Sequence, residues 1–429
     1  MPVAYFYLLQ RSIKEKSYRK NLRERWGFGP SFYEGSIWIH AVSLGELRAA
    51  IPLIKKLLDS SEKVLITTIT PAGREEAQNN FTEEIKRGMI LVVYLPLEYG
   101  FAFSRFFMQY KPKFGIILEY EIWPVMINSS NRHGVPLILA QAQYVKKSFR
   151  RDQKWTRLRG ALLNGFELIL AKSEIHADRF RHFCDTQIGV MGELRFEQPV
   201  KIEHLTQAHL FSKKLELKLK KRVAFCFGST GPGEDAGLIE VMKSLKEKAK
   251  KLNKSEPFFI YVPRHKKDFL NIKSALDESG LKFVSRTAIL KPNLAMDENY
   301  YENFSKIDGL FGDSLGEMNF YFALADFVFI GNSFNNLGAH NIIEPLALKK
   351  PVVVGPSTWG IEYPVKEALE CNVVKRVNNF EELSEFWGRK VQKPYVSQKE
   401  ENIMNKFYSD HGGAVNRCLL KLVENGFLS

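Results

Sequence analysis

Short runs of apolar and β-branched residues alternate with stretches of helical periodicity along most of the chain. In the first half, such runs predict strands at Ser36–Val42, Lys63–Thr70, Ile90–Leu95, Phe114–Leu118, Val135–Ala140 and Leu168–Ala171. The pattern restarts in the second half, with predicted strands at Val223–Phe227, Phe258–Val262, Phe327–Ile330 and Pro351–Val354. Strands separated by helices are typical of βαβ units, so we expect an α/β fold with parallel, doubly wound sheets.

Two helical stretches carry specific expectations. The stretch after the first predicted strand contains Pro52, which predicts either a kink or a late helix start. After Phe380 the chain is predicted to be helical, and its last segment places Ala414, Cys418 and Leu422 on one face.

Polarity divides the chain into segments. The stretch Val200–Arg222 is polar and ends in a basic run, so we interpret it as the connection between two lobes. The predicted segments are a basic amphipathic segment at 1–30, an N-terminal lobe at 31–200, a linker at 201–222, a C-terminal lobe at 223–395 and C-terminal helices at 396–429.

Composition narrows the classes of partner. The 429 residues are 45% hydrophobic, which suffices for two domains with cores of their own. The formal net charge of +14 favours anionic partners, although a plain basic surface explains it equally well. No nucleic-acid module is recognisable, so nucleic acid is not an expected partner. The four cysteines are scattered, which argues against a zinc site or a disulfide framework and fits a reducing, cytoplasmic compartment.

The N-terminus combines an apolar patch with positive charge. Val3–Leu9 is apolar, but a bilayer span needs about 20 such residues. The basic residues follow the apolar run, which is the reverse of a signal peptide. Residues 11–25 are rich in Lys and Arg, so we interpret the segment as an anchor lying on an anionic membrane surface. An ordinary amphipathic helix packed on the lobe is the alternative.

Several polar loops follow predicted strands, where open α/β sheets bind ligands. Ser43–Glu46 is the first, and its carboxylate at a strand-to-helix turn is well placed for a general base. The same spacing also fits a helix-capping box. Glu119–Pro124 is another such loop, in which two carboxylates and a Trp could line a site or serve as a cap or ion pair.

The second half carries loops suited to anions. Gly228–Glu234 could cradle a phosphate at a helix start or form a plain turn, and it lacks the ending of a P-loop. Arg264 could grip a phosphate bidentately or belong to a surface basic cluster. In Gly331–Pro345, Asn341 and Glu344 share a helix face, and Glu344 could accept hydrogen bonds from a ribose diol. A purely structural loop remains the alternative.

Taken together, these blocks resemble the 3-deoxy-D-manno-octulosonic acid (Kdo) transferase family. The matching blocks are HAVSLGE (40–46), EYEIWP (119–124), GELRFE (192–197), GSTGPGE (228–234), PRH (263–265), DSLGEM (313–318) and GAHNIIEP (338–345). Each block is weak alone, but their order along nearly the whole chain is specific.

The resemblance implies a GT-B fold, with two Rossmann-like lobes facing a cleft. It implies that the N-terminal lobe binds the acceptor, that the C-terminal lobe binds a CMP-sugar, and that the C-terminal helices return to the N-terminal lobe. It further implies inverting transfer without metal or cofactor. Glu46 matches the general base, Glu119 the transition-state stabiliser, and Arg195 stands where a Lys is usual.

The resemblance also implies the substrates and where they meet. The donor would be CMP-Kdo and the acceptor a lipid A precursor (lipid IVA), in lipopolysaccharide core assembly at the cytoplasmic face of the inner membrane. The implied nucleotide-sugar site comprises Ser229, Thr230, Pro263, Arg264, His265, Leu315, Gly316, Glu317, Ser333, Asn341, Ile342, Ile343 and Glu344.

Some positions depart from the family pattern. Gly231 replaces a usual His, Glu193 a usual Asn or Ser, and Tyr120 a usual Thr, while Gln141–Gln143 replaces Asn-Ala-Arg and Val145 a hydroxyl residue. Two alternatives therefore stay open. The chain could be another GT-B sugar-nucleotide enzyme, such as an epimerase, or a catalytically inactive CMP-sugar-binding homologue.

Overall fold

The computed structural model describes residues 15–219, 222–297 and 306–429. They divide into two units. Unit 1 is formed by the described residues up to Gln198 together with His411–Ser429, and unit 2 by those from Pro199 to Asp410.

Unit 1 is built on a parallel sheet of seven strands among the described residues, in the order β3-β2-β1-β4-β5-β6-β7. The strands are β1 Ile37–His40, β2 Val64–Thr68, β3 Ile90–Tyr94, β4 Phe114–Leu118, β5 Leu137–Ala142, β6 Leu168–Ala171 and β7 Gln187–Val190. Its first helices are α1 Leu44–Asp59, α2 Pro71–Asn80, α3 Thr82–Lys86, α4 Gly100–Tyr110, α5 Pro124–Arg132, α6 Lys146–Asp152, α7 Thr156–Leu163 and α8 Glu174–Arg181.

Unit 2 repeats this plan with a second parallel seven-stranded sheet, in the order β10-β11-β9-β8-β12-β13-β14. The strands are β8 Ala224–Thr230, β9 Phe258–Pro263, β10 Phe283–Ser285, β11 Gly309–Phe311, β12 Phe327–Ile330, β13 Val352–Val354 and β14 Val374–Arg376. The remaining helices are α9 Ile202–Leu219, α10 Asp235–Lys251, α11 Phe269–Glu278, α12 Arg286–Ile289, α13 Met318–Leu324, α14 Ile343–Ala347, α15 Glu362–Glu370, α16 Phe380–Gln392, α17 Gln398–His411 and, in unit 1, α18 Ala414–Glu424.

Burial on both faces of the first sheet explains its continuous apolar strands. In β1, Ile37 and Ile39 join one hydrophobic cluster while Trp38, between them, joins the cluster on the opposite face. Alternate side chains of a strand point to opposite faces, so a strand covered on both sides is apolar throughout. The predicted face of α18 completes the first cluster, in which Cys418 and Leu422 are fully buried.

The strand orders place the polar loops together. In unit 1 the sheet order reverses at β1 and β4, and in unit 2 it reverses at β8 and β12. Loops leaving the carboxyl ends of such neighbouring strands diverge and leave a crevice for ligands. Glu46 and Glu119 follow β1 and β4, and Ser229, Thr230 and Ser333 lie at the ends of β8 and β12, so these predicted site residues fall where binding is expected.

Three expectations need correction. The predicted linker is largely helix α9, which belongs to unit 2 and packs there through Phe211 against Phe320. Pro52 lies inside α1, which begins at Leu44, so the late start was wrong. Residues 396–410 belong to unit 2, and only the residues from His411 onward join unit 1.

The proposed membrane anchor lies partly outside the described residues, because the structure describes nothing before residue 15. The described part of that segment contains two short 3₁₀ helices, Lys16–Arg19 and Leu22–Trp26. Within residues 15–219, 222–297 and 306–429, no helix combines the length and apolar character needed to cross a membrane.

Candidate functional site

Ser43 and Glu46 form a capping box at the start of α1. The Ser43 hydroxyl accepts a hydrogen bond from Glu46 N–H over 3.4 Å, and the Glu46 carboxylate accepts from Ser43 N–H over 3.4 Å. The same carboxylate also accepts from Val42 N–H over 2.5 Å. Burial raises the pKa of Glu46 to about 7, and the negative charges of Glu119 and Glu121 add to this effect. The structural role is thus confirmed, and it leaves a carboxylate whose proton affinity suits acid–base chemistry near neutral pH.

Glu119 follows β4 with a left-handed backbone, φ 62°. Its Oε1 accepts from Arg195 Nη2 over 2.9 Å and lies 3.5 Å from Lys172 Nζ. Burial alone would raise its pKa, but the charges of Lys172 and Arg195 outweigh burial and lower it to about 2. Glu119 is therefore ionised throughout the physiological range, unlike Glu46.

A second carboxylate joins this group. Glu193 is almost fully buried, and its Oε2 lies 3.0 Å from Lys172 Nζ and 3.5 Å from Arg195 Nη1. The charges of Glu193 and Glu119 outweigh burial and raise the pKa of Arg195. We call Glu119, Lys172, Glu193 and Arg195 the charge cluster, in which two carboxylates face two cations.

Lys172 was missed from the sequence. It follows the apolar strand β6 and is only 1% exposed, with its Nζ also donating to Gln143 Oε1 over 2.8 Å. A lysine is seldom buried without a charged partner, so its position directly after a buried strand was the one available signal. That signal was too weak to name its partners.

The neighbours of Glu119 fix the loop that carries it. The Tyr120 hydroxyl donates to Asp152 Oδ2 over 2.9 Å, and the Tyr144 hydroxyl donates to the same atom over 3.0 Å. Trp123 Nε1–H donates to the Glu121 carboxylate, whose pKa is raised by burial. Tyr120, which departs from the family pattern, thus has a defined partner in this chain.

In unit 2, Glu234 joins the loops that leave β8 and β12. Its carboxylate accepts hydrogen bonds from the backbone N–H groups of Gly231 (2.8 Å), Asn332 (2.7 Å) and Phe334 (2.9 Å). The side chain is 1% exposed, and burial raises its pKa against the opposing effect of these bonds. Glu234 is therefore a structural tie between two loops of the predicted nucleotide site.

The β8 loop has no room for a side chain at Gly231. A Cβ built there would lie 1.5 Å from Asn332 Oδ1, and Asn332 Nδ2 is 2.7 Å from His340 Nε2. The neighbouring Ser229 has a left-handed φ of 56°. Gly231 stands where the family usually has a His, and in this chain the amide of Asn332 fills the space that a side chain at position 231 would need.

Arg264 extends the same edge of the sheet. Its backbone N–H donates to Thr230 O over 3.0 Å, which joins the loops after β8 and β9, and its side chain is exposed. Burial lowers the pKa of His340 to about 3, and the charges of Arg264 and His265 contribute. His340 is therefore neutral, while the guanidinium of Arg264 faces solvent near it. Pro263, the last residue of β9, is buried.

The Asp313–Glu317 loop presents its backbone rather than its carboxylate. Arg286 holds Glu317 bidentately, through Nε to Oε2 at 2.8 Å and Nη2 to Oε1 at 2.7 Å. Leu315 and Gly316 are exposed at the tip, and Gly316 has φ 82°. A ligand-binding role for this loop would fall to these two residues.

Asn341 lies just before α14 and bonds to two residues of its first turn. Asn341 Oδ1 accepts from Ile343 N–H over 2.8 Å, and Asn341 Nδ2 donates to Glu344 Oε1 over 3.1 Å. The side chains of Ile342 and Ile343 are buried, so only their backbone could meet a ligand. Ser333 is also buried, and its hydroxyl donates to Ile330 O and accepts from Gly355 N–H.

The structure thus brings the predicted residues together as two groups. Glu46, Glu119 and Arg195 lie at one sheet edge of unit 1, where their charges influence one another. The loops of Thr230, Arg264 and the Asn332–His340 pair meet at one sheet edge of unit 2. Within the described ranges, no three His, Cys, Asp or Glu side chains gather in the manner of a metal site.

Comparison with known proteins supports the family resemblance that the sequence motifs indicate. A family model described as 3-deoxy-D-manno-octulosonic-acid transferase (Kdo transferase) matches residues 20–198. A 3-deoxy-D-manno-octulosonic acid transferase from Bordetella pertussis is 30% identical over 390 residues, covering 91% of this chain and 87% of the relative. This chain belongs to the Kdo transferase family. It is accordingly a glycosyltransferase.

Further relatives support the family and the fold. A Kdo transferase from Haemophilus influenzae is 27% identical over 430 residues, covering 97% of this chain and 94% of that protein. The crystal structure of a glycosyltransferase from Rickettsia africae superposes with a TM-score of 0.58 at 13% identity, covering 92% of this chain and 98% of that one. The expected α/β, two-lobed fold of the GT-B type is confirmed.

Proposed function

We propose that this Kdo transferase moves Kdo from CMP-Kdo to a lipid A precursor, lipid IVA, with inversion and without a metal. The observation that carries the proposal is the pair of carboxylates in unit 1. Glu46 has a pKa near 7 and Glu119 a pKa near 2, in a chain of this family. One group is suited to exchange a proton at neutral pH, and the other to remain a fixed negative charge.

Glu46 is the proposed general base. It would take the proton from a glucosamine hydroxyl as that oxygen attacks C2 of Kdo, and CMP would leave with the electrons of the breaking bond. General-base assistance contributes roughly 10²–10⁴-fold to such a step. Its backbone hydrogen bonds hold the carboxylate in one orientation, which favours a defined approach of the hydroxyl.

Glu119 is the proposed stabiliser of positive charge that develops on the sugar. Lys172 and Arg195 keep it ionised, so its negative charge is present before the reaction begins. Preorganised charges of this kind stabilise a transition state without reorganisation during the step.

Unit 2 is proposed to bind the CMP part of the donor. The exposed Arg264 supplies a positive charge for the phosphate, and the exposed Leu315–Gly316 tip and the loop around Ser229 supply backbone contacts. Glu344, held by Asn341, is available to accept hydrogen bonds from a ribose diol.

A direct assay tests the proposal. The protein is incubated with CMP-Kdo and a tetraacylated lipid A precursor, in buffer with and without EDTA, and products are read by mass spectrometry. Addition of Kdo that EDTA does not reduce, and that Glu46→Gln slows by roughly 10²–10⁴-fold, is the expected result. NMR of the product anomeric centre reports inversion. Absence of any Kdo adduct with the wild-type enzyme would overturn the proposal.

A further inference from the structure

Lys172 is the one cation of the charge cluster that is withdrawn from solvent. It is 1% exposed, whereas Arg195 is 25% exposed. Burying an ammonium group is costly unless charges and hydrogen-bond acceptors compensate it. The groups around Lys172 Nζ therefore indicate the role of its positive charge.

The compensation comes from three different strand ends. Lys172 Nζ lies 3.5 Å from Glu119 Oε1 after β4, 2.8 Å from Gln143 Oε1 after β5, and 3.0 Å from Glu193 Oε2 after β7. Its backbone N–H donates to Ala142 O over 3.0 Å, which holds it in register with β5. An ammonium has three protons to donate, and three acceptors surround this one.

The nearer of the two carboxylates is Glu193, so a purely structural role must be considered. In that case Lys172 would serve only to neutralise a buried Glu193. The contact with Glu119 would then be incidental, because Arg195 already pairs with Glu119 at 2.9 Å.

The geometry argues for more. Arg195 is shared between Glu119 at 2.9 Å and Glu193 at 3.5 Å, so it is not a dedicated partner of Glu119. Glu119 also has an unusual left-handed backbone and lies outside any regular strand or helix, so regular backbone structure does not fix the direction of its side chain. A second, rigid and buried contact on the same carboxylate oxygen restricts the orientation of Glu119.

We propose that Lys172 is a positioning residue for Kdo transfer, which fixes the Glu119 carboxylate in addition to neutralising Glu193. The proposal rests on the proposed role of Glu119. Lys172 faces Glu119 and Glu193, and both of these carboxylates also face Arg195. Glu46 on α1 lies within electrostatic reach of Glu119, Glu121 and Arg195, and Glu121 also interacts with Glu119.

The test uses the full-length enzyme and three variants. Lys172→Met removes the nearer of the two cations that face the buried Glu193 and leaves only Arg195 at 3.5 Å, so this variant could fail to fold. Lys172→Met/Glu193→Gln removes both members of the pair and keeps the cluster neutral, so it removes that risk. Glu193→Gln alone keeps Lys172 on Glu119 and serves as the matched control.

Kinetics separate the two roles. If Lys172 positions Glu119, the double variant loses roughly 10-fold or more in kcat with KM for both substrates little changed, and Glu193→Gln keeps clearly more of the rate. If Lys172 only neutralises Glu193, the double variant matches Glu193→Gln, and the proposal is overturned. Circular dichroism and thermal melting confirm that each variant is folded.

The pH profile provides a second readout. Lys172→Met leaves an excess negative charge near Glu46, so the acidic limb of its rate profile should move to higher pH if the variant folds. The double variant keeps the net charge, so its limb should stay in place while its rate falls. Failure of the proposed function itself is distinguishable, because the wild-type enzyme would then show no Kdo transfer at all.

Discussion

Glu46 and Glu119 belong to one sheet edge, and their proton affinities are driven in opposite directions. The pKa of Glu46 is raised to about 7 by burial and by neighbouring negative charge, whereas that of Glu119 is lowered to about 2 by two cations that outweigh burial. The ionised Glu119 is itself one reason why Glu46 holds its proton more tightly. The proton affinity of Glu46 therefore depends on the charge that Glu119 carries.

The first prediction concerns pH. Because a base acts in its deprotonated form, transfer should fall as pH drops through about 7, the pKa of Glu46. Glu46→Gln should lower kcat by roughly 10²–10⁴-fold and remove this dependence. Rates measured from pH 5 to pH 9 on saturating substrates check both points. A full rate for Glu46→Gln at any pH would contradict the proposed base.

The same variant has a consequence for stability. A carboxyl whose pKa is raised by folding stabilises the folded state when it is protonated, and that stability is lost as pH rises from its unfolded value of 4.5 towards 7. Gln stays neutral throughout. Thermal melting should therefore show Glu46→Gln at least as stable as wild type at pH 8, with no such advantage at pH 4.

The second prediction concerns Glu119→Gln. Loss of the fixed negative charge should lower kcat, and it should also lower the pKa of Glu46, because one of the charges that raises it is gone. The acidic limb of the pH–rate profile should shift to lower pH. A limb that stays in place would show that the two carboxylates do not influence each other in the enzyme.

The third prediction concerns the tie at Glu234. Glu234→Ala leaves two buried backbone N–H groups, of Gly231 and Asn332, and the partly buried N–H of Phe334 without this acceptor. Each buried group left unpaired costs about 1–3 kcal/mol, so the free energy of unfolding in urea should fall by at least about 2 kcal/mol. Glu240→Ala, an exposed residue of α10 paired only with Lys243 among the described contacts, should change it by less than about 0.5 kcal/mol.

The fourth prediction concerns the space at Gly231. Gly231→Ala should destabilise the protein and weaken nucleotide binding, because its Cβ would collide with Asn332 Oδ1. Removing that amide in Gly231→Ala/Asn332→Ala should recover part of the loss. Gly360→Ala is the control, since no heavy atom lies within 4 Å of its added Cβ. A double variant that is no better than the additive sum would rule out this collision as the cause.

The fifth prediction concerns nucleotide choice. A ligand that binds only the folded state stabilises it by RT ln(1 + [L]/Kd), about 2.7 kcal/mol at 100 Kd. If the donor is CMP-Kdo, CMP binds more tightly than UDP, so at equal concentration CMP should raise the melting temperature more than UDP. Arg264→Ala should reduce the rise in melting temperature that CMP causes. Lys267 is an exposed neighbour of Arg264, and Lys267→Ala should leave that rise unchanged. A preference for UDP would favour a different sugar-nucleotide enzyme.

The sequence was informative where a pattern is long or a motif is local. The central strands, the apolar face of α18 and the capping box at Ser43 and Glu46 all follow from periodicity or spacing within a few residues. The three-residue strands β10, β11 and β14 were missed because each interrupts its short apolar run with a polar residue or a glycine. The equally short β13 was predicted because all three of its residues are valine. The edge strand β7 was missed because its residues are not fully buried and its pattern is not apolar.

Other features that were not predicted from the sequence are contacts between residues far apart along the chain. Lys172 and Glu193 are 21 positions apart, and nothing local in either segment indicates that they share a buried ion pair. Likewise, Gly231 and Asn332 exclude each other only because β8 and β12 are neighbours in the sheet. The departures from the family pattern at Gly231, Glu193, Tyr120 and Gln143 could be explained only from their partners in the fold.

The position of α18 has a consequence for how the polypeptide is made. Leu422 and Cys418 belong to the core of unit 1, Val415 N–H donates to Glu197 Oε1 over 2.8 Å, and Arg417 Nε donates to Met191 O over 2.8 Å. Domains tend to fold as units while the ribosome is still at work. Here residues 199–410 emerge before the segment that completes the earlier unit. Unit 2 can thus finish folding before unit 1. Unit 1, which carries the proposed base Glu46, has a complete core only after translation has passed Leu422.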